Sequence, residues 1–333
     1  MVRQRDDERS ASFYIRGMAD PADLATVPSV SLRQFGGDPH GFAQAIGRSF
    51  ERFGFAVVAD HGIPADLIAR AEAKAKAFFA LPEEVKRGYH IPGGGGARGY
   101  TAFRVETAKD HKDADLKEFW HVGRELPVGH RYSDVMAPNI WPKEVEDFRA
   151  VYLELFAAFD KAGLRILSAI ARYLGLAPDF FDDTVKDGNS VLRLLHYPPI
   201  GPDAPGIRAG AHEDINTITL LLGAEEGGLQ LLDKNGEWIA VNIQPGELVV
   251  NIGDMLQRLT NGLLPSTSHR VMNPPPERRG FARYSMPFFL HFRPDYLIET
   301  LPQTITADRP NRFPEPITAH EFLQERLREI KLI

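Results

Sequence analysis

The chain has 333 residues, 43% hydrophobic and 25% charged, a balance that supports one large domain or two ordinary ones around a sizeable buried core. Its net charge of −6 offers no basic stripe for phosphates, which argues against nucleic acid as a partner. With no cysteine it has no disulfide framework, thiolate zinc site, iron–sulfur cluster or cysteine nucleophile, and it suits a reducing cytoplasm. No apolar run approaches the roughly 18 residues of a membrane span. Residues 1–26 mix charges and lack an apolar signal core, so they read as a flexible extension, with Met18 as an alternative start.

From residue 27 the expected elements follow in order. VPSVSLRQF over residues 27–35 gives a short strand and a turn. Phe42, Ala45, Ile46, Ser49, Phe50 and Phe53 fall at helical spacing. FAVVADHGIP gives a buried strand over Phe55–Val58, stopped by Gly62 and Pro64, and His61 in it reads as structural. A second helix carries Leu67, Ile68, Ala71, Ala75, Phe78 and Phe79 on one face. Residues 82–140 are less regular and include Gly93–Gly96. That run lacks the Lys-Ser/Thr of a phosphate loop and reads as a flexible loop. A long helix is expected after Pro142, with Phe148, Tyr152, Leu155, Phe159, Ile166, Ile170 and Leu174 inward and Gly175 as its cap.

After Asn189 the texture changes. VLRLLHY, NTITLLL, LQLLD, WIAVNI, ELVVNI, STSHRV and YSMPFFLHF alternate with Gly, Pro and Asn, the mark of a sandwich or barrel. A closing helix begins near Thr318, which stands three residues before Glu321 as in a capping box. The expected division is an N-terminal region over 27–140 and a long helix, β-core and closing helix over 141–333, joined in one compact unit.

Within the β-core, Ala211-His212-Glu213-Asp214 is the sharpest feature. On an extended segment residues two apart share a face, so His212 and Asp214 project together and Glu213 turns away. A lone H-x-D is common among surface polar pairs. His269, 55 positions after Asp214, gains weight because about four strands intervene, enough to return the chain beside its start in a jelly roll. Two imidazoles and one carboxylate on one face of a metal leave positions open, the ligand set of iron(II) oxygenases. A closed structural zinc site is the rival metal, but it usually takes four ligands rich in cysteine. Arg283 and Ser285 alternate onto one face of the strand RYSMPFFLHF, where a guanidinium fork and a hydroxyl suit a carboxylate, and Tyr197 offers another hydroxyl. Asp254 follows Gly253 at a turn and reads as a structural hydrogen-bonder.

These residues resemble the isopenicillin N synthase-like iron(II)/2-oxoglutarate-dependent dioxygenases, over roughly residues 27–331. The likeness is carried by FERFGFAVVADHGIP, FFALPEEVKRGY, KEFWHVGRELP, APNIWP, LLHYPPI, AHEDINTITLLL, GGLQLLD, VVNIGDMLQRLTNG, STSHRVMNPP, ARYSMPFFLHF and PEPITAHEFLQERL, specific in their order and spacing. The resemblance implies a mainly β, α+β fold: a double-stranded β-helix, or jelly roll, flanked by helices. It implies that His212, Asp214 and His269 hold Fe(II), and that Arg283, Ser285 and Tyr197 bind the 5-carboxylate of 2-oxoglutarate, with dioxygen as the other co-substrate. Many plant members carry Asn two residues before the tyrosine. Here Leu195 stands there, with His196 and Arg193 beside it to contribute or simply to pack. Arg98, Tyr100, Phe119 and Arg193 are the candidates for the substrate pocket. The implied activity is hydroxylation or desaturation of a small molecule in the cytoplasm, with succinate and carbon dioxide released. An oxidase on the same scaffold without 2-oxoglutarate and a non-catalytic metabolite sensor remain open on these residues, and no oligomeric state is indicated.

Overall fold

The helix Pro39–Phe53 shows how local chemistry sets the elements. Asp38 caps it by accepting from Gly41 N–H at 2.8 Å, and proline opens the first turn. Gly54 closes it at φ 69, and a side chain there would strike Thr267 and Pro265. Phe42, Ile46, Phe50 and Phe53 form its buried face. The computed structural model describes residues 26–94, 96–106, 114–201, 206–222 and 227–329. The expected N-terminal extension, its last residue apart, lies outside them.

Two sheets face each other. The larger runs in the order Ser29–Ser31, Phe55–Ala59, Leu248–Ile252, Ile218–Leu222, Pro287–Leu290, Val191–Tyr197, Glu118–Gly123, Gly99–Thr101, with Arg283–Ser285 also on Val191–Tyr197. The smaller runs Ala209–His212, His269–Val271, Leu229–Leu232, Trp238–Ala240. Every pairing in both is antiparallel except that of the first two strands of the chain. This is a jelly-roll core with flanking helices, as the sequence led us to expect.

The helices Pro39–Phe53, Ala65–Phe79 and Phe148–Tyr173 cover the outer face of the larger sheet. Phe288 anchors that contact: Phe159 stacks on it at 5.2 Å and Phe156 meets it edge-on at 4.9 Å. Gly163 lets the strand come close, because a Cβ there would sit 2.4 Å from Leu290. A second apolar cluster, including Phe55, Val57, Leu231, Val249 and Val271, fills the space between the sheets. The inner faces beyond it are free to carry polar side chains.

Two details differ from expectation. The long helix starts at Phe148, not just after Pro142, because Asp147 takes a left-handed conformation (φ 56) that ends any helix running through it. The region expected to be irregular contributes two strands to the larger sheet, Gly99–Thr101 and Glu118–Gly123. Glu118–Gly123 is buried on both faces and so lacks the alternation that marks a half-buried strand. Trp120 and Val122 point to the helices while Phe119 and His121 point inward. The closing helix is capped as its sequence suggests: Glu321 N–H donates to Thr318 Oγ1, and Thr318 N–H donates to Glu321.

Candidate metal centre

His212 ends one strand of the smaller sheet and His269 begins its neighbour, and the two are direct cross-strand partners. Their rings lie 4.4 Å apart. The strand stops at His212, so Asp214 is not aimed by strand alternation alone. Its carbonyl instead accepts the Asp254 N–H at 2.7 Å, turning the chain so that the carboxylate faces both imidazoles. Each Nε2 lies 3.9 Å from Asp214 Oδ1. Among the described residues this is the one His/Cys/Asp/Glu cluster that converges well enough to hold a metal.

The hydrogen bonds fit a cation at that point. His212 Nδ1 contacts the Gly210 carbonyl at 2.8 Å and His269 Nδ1 contacts that of Thr267 at 3.1 Å. A carbonyl only accepts, so each Nδ1 carries the proton, and in the neutral tautomer that this selects Nε2 presents a lone pair. Burial, followed by the neighbouring His269, lowers the His212 pKa to about 4, which keeps the ring neutral. Asp214 is buried, which alone would raise its pKa. The two imidazoles, Thr219 and Asn251 outweigh burial and hold it below the usual carboxylate range. Thr219 Oγ1 donates to its Oδ2 at 2.5 Å and Asn251 Nδ2 donates at 2.7 Å, leaving Oδ1 to the metal side. Phe55 meets the His269 ring edge-on at 5.4 Å. Three protein donors, with no fourth His, Cys, Asp or Glu joining them among the described residues, suit a metal that keeps open positions.

Arg283 and Ser285 lie on the inner face of the larger sheet, both buried, opposite Tyr197 and Leu195. The Arg283 guanidinium stands 5.0 Å from the centre of the Tyr197 ring, and Arg208, fully buried, stands 5.7 Å from it. Further along this face Phe289 is the cross-strand neighbour of Thr219, which holds Asp214. One continuous wall thus runs from Arg283 to the Asp214 carboxylate.

Of the pocket candidates, Phe119 clusters with Leu195 and Tyr197 on this inner wall. Arg193 lies between Phe119 and Phe289, 4.2 and 5.3 Å from their ring centres. Its Nε donates to His121 Nε2 at 2.6 Å, and its remaining nitrogens reach Glu106 at 3.4 Å. Tyr100 is on the opposite face, where it packs edge-on to Phe78 and donates to Glu118, so the structure does not bring it to the triad. Arg98 is buried and directed to the carbonyls of Ala97 and Ala137, a main-chain tie. His196 also faces the helices, contacting Glu118 at 2.6 Å and stacking on Tyr284. Sequence reasoning passed over Thr219, Asn251, Arg208, Asp115 and Lys117. A polar residue on the inward phase of an apolar strand was the available signal for Thr219 and Asn251.

Comparison with known proteins agrees with this geometry. Residues 27–144 match the family described as non-haem dioxygenase in morphine synthesis N-terminal, and residues 188–292 match the 2OG-Fe(II) oxygenase superfamily. The chain belongs to the 2OG-Fe(II) oxygenases. Its curated relatives in that family include a 2-oxoglutarate-Fe(II) type oxidoreductase of Aspergillus fumigatus, 34% identical over 88% of this chain and 90% of the relative. A putative 2OG-Fe(II) oxygenase of Caulobacter crescentus has a solved structure, 59% identical, with TM-score 0.87 over 92% of this chain and 99% of that one. A Neurospora crassa enzyme solved with α-ketoglutarate and thymine is 30% identical, with TM-score 0.80 over 91% and 96% of the two chains. Membership makes the chain a non-haem dioxygenase that uses Fe(II), 2-oxoglutarate and dioxygen. Among the described residues no helix is long and apolar enough to cross a membrane.

Proposed function

We propose that this dioxygenase oxidises a C–H bond of a small molecule by hydroxylation or desaturation, with iron(II) held by His212, Asp214 and His269. The observation that carries this reading is the convergence of three ligand atoms whose two imidazoles have Nδ1 already engaged and Nε2 turned to the carboxylate. When bound, iron(II) supplies oxidising chemistry from dioxygen as 2-oxoglutarate is converted to succinate and carbon dioxide.

The chain's own work is placement. Thr219 and Asn251 fix the Asp214 carboxylate, so a cation meets an oriented oxygen rather than a rotating group. Arg283, with Ser285 and Tyr197, binds the 5-carboxylate of 2-oxoglutarate and so fixes which end of it reaches the metal. Phe119, Arg193 and Phe289 form the substrate wall, where a small molecule meets a guanidinium flanked by two aromatic rings. Burial of the clamp keeps water from competing for the same donors. The cytoplasm, where iron(II) and 2-oxoglutarate are available, is the compartment this reading assigns.

The test is succinate release from a small-molecule panel that includes thymine, using iron-loaded protein. Wild type releases succinate with 2-oxoglutarate and its substrate, and Asp214→Ala releases none. Arg283→Ala raises the half-saturating 2-oxoglutarate concentration roughly 10- to 100-fold, the worth of a charge-assisted pair. Full activity in Asp214→Ala would remove the metal assignment, and an unchanged 2-oxoglutarate requirement in Arg283→Ala would reject the clamp.

A further inference from the structure

The strand that carries His212 is not held by regular sheet pairing. Its ladder with His269–Val271 matches His212 to His269 and Ala209 to Val271, and the register shifts between those two pairs. Gly210 lies inside that irregularity, where an uneven ladder allows a side chain to be re-aimed but also leaves the backbone less firmly fixed. What fixes it comes from another segment. Asp115, 4% exposed, accepts the Gly210 N–H on Oδ1 at 2.9 Å and the Lys117 ammonium on Oδ2 at 2.7 Å. The carbonyl of the same glycine accepts His212 Nδ1–H at 2.8 Å. Lys117 is also buried and bridges to Glu106 at 2.6 Å, so the carboxylate of Asp115 is compensated where water cannot reach it.

We propose that Asp115 is a positioning residue for His212: by holding Gly210 at the break in the ladder, it fixes the carbonyl that sets the tautomer and aim of the ligand imidazole. This rests on the reading above that His212 is a metal ligand. Lys117 holds the second carboxylate oxygen of Asp115, so the first stays aimed at Gly210. Because Lys117 shares Glu106 with Arg193, the same buried lattice joins the ligand strand to the substrate wall.

The test uses metal-free full-length protein titrated with cobalt(II), an oxygen-stable substitute for iron(II). Visible absorption reports binding, and the melting temperature of the metal-free form is recorded alongside. Asp115→Ala is expected to lose about 10-fold in cobalt(II) affinity, the low end of the effect of losing a histidine's direct partner because Asp115 acts through Gly210, and to shift the absorption bands. Asp115→Asn keeps a carbonyl acceptor for Gly210 but cannot balance Lys117, so its loss is smaller, and it carries the test if the alanine variant does not fold. Glu118→Gln removes a buried carboxylate on the other face of the adjoining strand and serves as the control. It should lower the melting temperature and leave cobalt(II) affinity unchanged. Wild-type affinity and spectrum in both Asp115 variants would overturn the proposal. So would an affinity loss in Glu118→Gln matching that of Asp115→Ala, because affinity would then merely follow stability. Wild-type binding in His212→Ala would instead remove the metal assignment, and the inference with it.

Discussion

A buried histidine is a cost unless its charge state is settled, and the inner face of this barrel settles several. His291 follows the strand Pro287–Leu290, with Nδ1 against the Phe289 carbonyl at 3.1 Å. Burial lowers its pKa to about 4. The unfolded chain takes up a proton below about pH 6.5 whereas the folded one waits until about pH 4, so the unfolded state binds more protons in that window. Stability is therefore expected to fall as pH is lowered from 6.5 to 4, by up to about 3 kcal/mol from this group. Denaturant titrations across that range should be flatter in His291→Asn, and an unchanged slope would place the acid sensitivity elsewhere. At this scale the sequence was most legible where chemistry is scarce. His212 and Asp214 stood out by their spacing of two, and His269 by the strands that return the chain to them. Asp115, Lys117 and Glu106 did not. Lys117 meets both carboxylates only after folding brings them within 2.6–2.7 Å, and in the sequence the three look like solvated loop residues.

Elements were legible in proportion to their periodicity. Pro39–Phe53 and the capping box at Thr318 could be read because the local signals agree with one another. Glu118–Gly123 could not, since both its faces are buried and one carries Glu118 into the network of Lys86, Tyr100 and His196. The start of the long helix was misjudged because proline at a first turn is only permissive, and a left-handed Asp147 overrides it. That helix supports the wall from behind: Phe159 stacks on Phe288, whose neighbour Phe289 faces inward beside Thr219. Phe159→Ala should cost about 3–5 kcal/mol of stability by leaving a cavity under the sheet. Chemical denaturation would measure this. A loss below about 1 kcal/mol would mean that the helix–sheet contact does not depend on that ring.

Across the whole molecule the architecture separates two duties. Helices and the outer face of the larger sheet hold the main apolar core and a smaller cluster lies between the sheets, so the rest of the inner faces can carry polar and charged groups. The smaller sheet brings His212 and His269 together, and the larger sheet supplies Asn251, Thr219, Phe289, Ser285 and Arg283 along one wall. The strand order that achieves this was visible only as a count of strands and as a family likeness. Pairing across a sheet depends on distant residues that no local pattern names. The most direct test of the centre is anaerobic titration of the purified chain with iron(II), alone and with 2-oxoglutarate. One iron per chain should bind in wild type, tightened by 2-oxoglutarate, and binding should be lost in each of His212→Ala, Asp214→Ala and His269→Ala. Retention of a full equivalent of iron in any of the three would contradict a site built from all of them.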